Sequence, residues 1–249
     1  GPVYTDLDQF LSLDRQKEIL ARAKDSEQSV LFAIPTNNFC VIPLIKNLEQ
    51  ELAGLKQTHP DWKITVAVCV NGPEAGPRAQ IAQQLREYQQ PWLESCPQVP
   101  LVIIDLPMPG KNNAMNALAD FAKQNRDEII TFLDDDVRVS QGSLVSGVET
   151  LLASGRICLV GGKVKFRGQS RPWPRLASYV INRKEMYYPF GCHTVLYTES
   201  YPKLPSFPIS DDRYRALVFI DKKSPQPFQR MIIDFRARIY AYLPTSFFR

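Results

Sequence analysis

Between residues 29 and 166 the chain alternates between short runs of Val, Ile, Leu and Phe and longer stretches whose apolar residues recur at helical spacing. The short runs are "SVLFAIP" (29–35), "KITVAVCV" (63–70), "VPLVIIDL" (99–106), "IITFL" (129–133) and "ICLVGGKVKF" (157–166). The stretches between them are 41–57, with Ile42, Ile45, Leu48, Leu52 and Leu55 on one stripe, 76–90, 110–124 and 140–154. A strand apolar on both faces must be covered on both faces, and successive covered strands joined by helices run parallel through right-handed crossovers. The pattern therefore predicts an α/β fold: a Rossmann-like, mostly parallel sheet flanked by helices. Ser140 stands where it can cap the last of these helices.

Outside this span the pattern is weaker. Residues 7–28 place Leu7, Phe10, Leu11, Ile19 and Leu20 among charges and read as an amphipathic helix or helix pair. Residues 167–249 are rich in proline, tyrosine and arginine, which predicts an irregular region of loops and short helices laid across the sheet. The tail "RMIIDFRARIYAYLPTSFFR" reads as a terminal helix on the sheet or, being basic and aromatic, as a peripheral membrane contact. No flexible linker divides the chain, so residues 1–249 read as one domain.

Composition closes off several classes. A chain 44% hydrophobic and 22% charged is that of a globular protein with a sizeable core. Its net charge of +4 is too small and dispersed for nucleic-acid binding. The five cysteines are scattered, with no CxxC pair, which argues against a disulfide framework or a zinc site and for a reducing, cytoplasmic setting, extending to the cytoplasmic face of a membrane. No apolar stretch reaches the roughly 18 residues of a membrane span. The opening Gly1-Pro2 reads as a protease-cleavage scar.

One strand ends in chemistry. "IITFL" runs straight into Asp134, Asp135 and Asp136, three like charges at the mouth of a buried strand, which calls for a cation among them. His59 and His193 are the only histidines, so a metal here would take oxygen ligands, as Mg²⁺ or Mn²⁺ does when a substrate diphosphate completes its shell. The competing readings are a solvated acidic turn or a helix cap. Lys111, opening the helix at "GKNNAMN", adds a point charge where helix N-terminal amides favour an anion, although a solvated surface lysine fits the same position and no GxxxxGK[ST] loop is present. In a parallel sheet, ligands bind beyond the carboxyl ends of the strands, which brings "PTNN", "NGPEAG", "PMPGKNN" and "DDD" to one rim.

In order and spacing, "FAIPTNN", "VAVCVNG", "PGKNNAMN", "TFLDDDV" and the later "PISDDRY" resemble the GT-A glycosyltransferases, in particular the inverting family 2 enzymes that use nucleotide-diphosphate sugars. The resemblance spans roughly residues 29–220. It implies a nucleotide-sugar-binding half (29–166) and an acceptor-side half (167–249). It also implies nucleoside contacts from Pro35, Thr36, Asn37, Asn38 and Asn71, a phosphate-side Lys111, and a DxD motif at Asp134 to Asp136. In that motif Asp136, with Asp134, holds Mn²⁺ or Mg²⁺, and Asp134 and Asp135 touch ribose or sugar. Asp211 or Asp212, the latter favoured, supplies the general base. The implied partners are a nucleotide-diphosphate sugar, a UDP-sugar first among them, and a glycan, lipid-linked or small-molecule acceptor hydroxyl.

The chain departs from the family pattern at two places. Asn71 stands where the family usually has aspartates, and "DFRARIY" has neither the glutamine nor the tryptophan of QxxRW. These departures leave room for a non-catalytic nucleotide-sugar-binding or scaffold module of the same fold. A nucleotidyltransferase would want a glycine-rich loop after the first strand, where "IPTNNF" has none, and a DxD phosphatase would carry its acids after the first strand, not the fourth. Asp211 and Asp212 also read as first-turn acids of a helix. The "EMYYPFGCHTVLY" cluster and His193 read first as packing and second as ligand contacts, and Arg213 and Arg215 pair either with phosphate or with the local acids.

Overall fold

The computed structural model describes residues 27–73, 76–153, 157–167, 192–206 and 230–242. The predicted helix at 7–28 and the acids Asp211 and Asp212, with Arg213 and Arg215, lie outside them, as does most of the aromatic cluster before Cys192.

The first half follows the sequence pattern closely. Strand β1 (Ser29–Thr36) leads to helix α1 (Val41–Thr58), β2 (Lys63–Asn71), α2 (Arg78–Ser95), β3 (Leu101–Leu106), α3 (Lys111–Asn125) and β4 (Ile129–Leu133). β1, β2 and β4 are apolar along nearly their whole length and are buried on both faces. β3, at the sheet's edge, is only half-buried. These four strands pair in parallel in the order β3-β2-β1-β4. Moving outward from β1, the chain covers one face with α1 and α2. After β3 it must return past β1 to reach β4, and the same right-handed crossover then puts α3 on the opposite face. Two cores result. Val30, Phe32 and Ile34 pack with α1 and α2, while Leu31, Ala33 and Phe132 pack with Ala114, Met115 and Leu118 of α3.

The second half departs from the expectation of loops and short helices. After β4 come a short β5 (Val137–Val139), α4 (Ser143–Leu152) and β6 (Ile157–Arg167), followed by β7 (His193–Tyr197), a 3₁₀ turn at Thr198–Ser200 and β8 (Arg230–Tyr242). The sheet has eight strands in the order β3-β2-β1-β4-β7-β6-β8-β5. β7 runs antiparallel between β4 and β6, β8 is parallel to β6, and β5 closes the edge antiparallel to β8. The terminal helix expected from the tail is therefore a strand over residues 230–242. The signal was a period of two: Met231, Ile233, Phe235, Ala237, Ile239 and Ala241 alternate with mostly charged or tyrosine positions. Ala237 and Ile239 are fully buried. Among the described residues no helix is long and apolar enough to cross a membrane.

Ser140 does not cap α4. The helix starts after Gly142, whose φ of 75° is accessible to glycine without strain, and the Gly142 N–H donates to Glu51 Oε2 of α1 at 3.0 Å. β5 is held from the same helix, because Asn47 both accepts from the Val139 N–H (2.8 Å) and donates to its carbonyl (3.3 Å). A side-chain amide thus supplies two ladder bonds to the segment that follows the acidic triplet.

His193 is a packing residue, as its apolar surroundings suggested. It is fully buried on β7 opposite Leu133. Its ring fits between two glycines: a Cβ on Gly147 of α4 would stand 2.9 Å from His193 Cε1, and one on Gly162 of β6 would stand 2.5 Å from Nδ1 and 3.0 Å from the Ala237 carbonyl oxygen. Gly162→Ala is expected to lower stability by about 1–3 kcal/mol through overpacking. In chemical denaturation, the loss should shrink when His193→Ala is added, because the shared clash is then partly relieved.

Candidate functional site

The reversal of winding direction lies between β1 and β4, and there the loops leaving the two strands diverge to opposite faces and open a crevice. Eight residues line a cavity of about 250 Å³ at this point: Pro35, Thr36 and Asn37 from the end of β1, Asn71 from the end of β2, Lys111 from the start of α3, and Asp134, Asp135 and Asp136 from the end of β4. The fold thus gathers the expected site residues that fall within the described residues, with the exception of Asn38.

Each acid of the triplet has a different environment. Asp134 accepts an ion-paired hydrogen bond from Lys111 Nζ at 2.6 Å. Its backbone N–H donates to the Cys192 carbonyl (3.2 Å), which ties it to the start of β7. Asp135 accepts from the Thr36 hydroxyl at 2.6 Å. Asp136 takes its own backbone N–H and has no side-chain partner among the described residues. Burial, the larger cause, and the neighbouring acids hold the Asp135 and Asp136 carboxyls above the usual carboxylate range. The Thr36 bond offsets this for Asp135, and Lys111 offsets it for both. Arg138 also offsets it for Asp136, yet three crowded, partly desolvated carboxylates still favour a further cation.

Among the described residues no set of three or more His, Cys, Asp and Glu side chains forms a ready-made metal cage. Two of the three acids are already engaged and only Asp136 is open. This arrangement fits an ion of the Mg²⁺ or Mn²⁺ kind, which takes one or two carboxylates and completes its shell with oxygens of water and of a phosphate ligand.

The rest of the cleft is shaped by backbone and amide chemistry. Gly110 precedes Lys111 with φ 106° and ψ 130°, a conformation open to glycine, and so turns the chain directly into α3. Asn71 is 3% exposed and lines the cleft, and its side-chain amide has no hydrogen-bond partner among the described residues. Asn38 does not line the cavity; its side chain accepts from the Cys40 N–H (2.7 Å) and shapes the turn into α1.

Three features escaped the sequence reading. Thr36, expected to meet a nucleoside, lines the cavity and also donates its hydroxyl proton to Asp135, so the side chain positions an acid. Cys192 lies beside Asp134, its thiol pushed well above its ordinary pKa first by burial and then by that carboxylate. Asn112 and Asn116 of "GKNNAMN" clamp the segment 201–205: Asn112 donates to the Pro205 carbonyl (2.9 Å) and Asn116 to that of Leu204 (2.8 Å), while Asn116 Oδ1 accepts from the Leu204 N–H (2.9 Å) and the Tyr201 hydroxyl (3.0 Å). Asparagine offers a two-donor amide beside a carbonyl acceptor on separate atoms, and that was the signal available. Away from the cleft, Asp105 at the end of β3 accepts from both Arg78 and Arg86 and ties α2 to the sheet edge.

No protein-family model matches the sequence, and no curated protein sequence does. The fold, by contrast, is similar to that of S. aureus TarS residues 1–349, with a TM-score of 0.53 and 14% identity over 86% of this chain and 60% of the TarS segment. The chain thus spans 60% of that segment, and the likeness is one of fold alone.

The triplet generates a pH prediction. A carboxyl whose folded-state pKa is raised binds more protons folded than unfolded, so stability is greatest below the ordinary carboxylate pKa and falls as pH rises through the raised value. Asp135→Asn should therefore raise the melting temperature of metal-free protein at neutral pH. That gain should vanish below about pH 4, where the aspartate is protonated in both states, as a melting series from pH 3 to 8 would read.

Proposed function

We propose that this chain transfers a sugar from a nucleotide-diphosphate sugar, a UDP-sugar in the first instance, to an acceptor hydroxyl with inversion at the anomeric carbon. The observation that carries the reading is the convergence of the acidic triplet and Lys111 on one small cleft at the winding reversal of a GT-A-like sheet. The fold's similarity to TarS, a glycosyltransferase, supports the same class.

Under this reading Asp136, with Asp134, holds a divalent Mn²⁺ or Mg²⁺. That ion, when bound, supplies positive charge to the departing diphosphate. Lys111, at the N-terminus of a 15-residue helix, adds a point charge and a favourable dipole on the phosphate side. Pro35, Thr36 and Asn37 form the wall against the nucleoside, with Thr36 acting through Asp135. Asn71 offers an amide, a donor beside an acceptor, which matches the imide edge of uracil. A carboxylate at Asp212 or Asp211 takes the proton of the attacking hydroxyl, so that attack and departure occur on opposite faces of the sugar. The acceptor, a glycan, a lipid-linked sugar or a small molecule, meets the donor from the side of residues 167–249.

The amide in place of the family's aspartates, and the missing QxxRW element, favour one second reading: a module that binds the donor without turning it over. The two readings share a donor site and differ at Asp211 and Asp212.

Thermal shift with Mn²⁺ and a panel of UDP-, GDP- and TDP-sugars should find at least one stabilising donor, and Asp136→Asn should remove the shift. If no donor binds, both readings fall. Donor hydrolysis or transfer that is lost in Asp212→Asn or Asp211→Asn marks an enzyme, whereas binding with no turnover in any variant marks the module. Asn71→Ala should weaken donor binding about tenfold, since the ligand's polar edge is left unpaired. The melting temperature of the unliganded protein should barely move, because the amide has no partner among the described residues to lose.

A further inference from the structure

Resting on the donor-site reading above, the further inference concerns the state of the cleft before any ligand arrives. Lys111 Nζ lies 2.6 Å from Asp134 Oδ1. The pair is asymmetric: the lysine side chain is 41% exposed and the aspartate 22%. The lysine therefore reaches into the cleft from its mouth, and the aspartate is fixed through the bond from its own N–H to the Cys192 carbonyl. Asp135 is held separately by Thr36. Of the four charged groups at the site, only the lysine sits on a long, rotatable stem anchored outside the β4 turn.

Three carboxylates and one lysine leave a formal charge of −3 + 1 = −2 on a cleft of about 250 Å³. Among the described residues the lysine is the one cationic side chain that lines the cleft, with Arg138 acting on Asp136 from outside it. A phosphate entering the same cavity presents Lys111 with a second anion within reach. A divalent ion approaching Asp134 alone must compete with the lysine for that oxygen. A diphosphate carries more charge than the single carboxylate and so pulls Nζ toward itself, while a divalent ion on Asp134 repels Nζ from that oxygen.

We propose that Lys111 is a resident counter-cation with two positions, paired with Asp134 in the empty site and handed to the diphosphate when a nucleotide binds. The handover makes metal and nucleotide bind in concert: nucleotide draws Lys111 from Asp134 and opens that carboxylate to the ion, and by reciprocity the ion frees the lysine for phosphate. Free metal, by contrast, is held weakly. Because the pair is partly exposed, the competition is worth no more than about a fivefold change in affinity, so exchange stays easy.

The test titrates Mn²⁺ into metal-stripped protein and follows the free-ion EPR signal, with and without UDP, for wild type, Lys111→Met and Lys111→Gln. Lys111 is exposed on a first helical turn, and two uncharged replacements guard against a folding defect in either. If the proposal holds, both variants bind Mn²⁺ alone about three- to fivefold more tightly than wild type, and UDP tightens Mn²⁺ binding less in them than in wild type. If wild type takes up Mn²⁺ with UDP but the variants bind Mn²⁺ alone no better or more weakly, Lys111 is an ordinary phosphate ligand and the proposal fails while the donor site stands. Wild type that binds no Mn²⁺ even with UDP overturns the donor-site reading and this proposal with it.

Discussion

The parallel pairing of β1 with β4 is the contact on which the rest depends. It brings together a strand from the start of the described fold and one nearly a hundred residues later, in the register Val30↔Ile129 to Ala33↔Phe132. That register aligns their carboxyl ends, so Thr36 and Asp135 meet at hydrogen-bond distance although 99 residues separate them. The pairing is also where the covering helices change face, since α1 and α2 lie on one side and α3 on the other. A crevice opens there because the connections leaving the two strands diverge. A slip of one residue would turn each inward side chain outward and separate the threonine from its acid.

Within that crevice the electrostatics are unbalanced by design of position rather than by composition. The chain as a whole carries +4, yet the cleft concentrates three acids against one lysine. Burial raises the cost of each negative charge, and the protein meets that cost locally with a hydroxyl for Asp135, an ammonium for Asp134 and a backbone N–H for Asp136. Each is a partner that a ligand or ion can replace or supplement. The surrounding frame is stiffer: Asn47 pins β5 immediately after the triplet, and Asn112 and Asn116 pin residues 201–205 to α3.

How much of this was legible depended on how local its cause was. β1, β2 and β4 announced themselves because a strand covered on both faces must be apolar throughout, and Val, Ile and Leu leave little ambiguity. The rim residues were legible as a group for the same reason, since knowing the strand ends locates the rim. β8 was misread as a helix: its basic and aromatic residues suggested a surface element, and its period-two alternation becomes decisive only once β6 and β5 lie beside it to be paired. Ser140 was misread as a cap because Glu51, the group that meets the Gly142 N–H, comes from another helix 91 residues away. The antiparallel β7 was missed because five residues, HTVLY, are too few for periodicity to speak.

The sequence by itself determined the α/β class, the parallel core and the identity of eight residues that share one cleft, because strand burial and the carboxyl-end rule act through local pattern. Only the tertiary structure decided what those residues do to one another. Thr36 serves Asp135, Lys111 serves Asp134, and His193 fills a gap left by Gly147 and Gly162. Hydrogen bonds and ion pairs reach only about 3 Å, so which groups form them is set by chain crossings that no local pattern records.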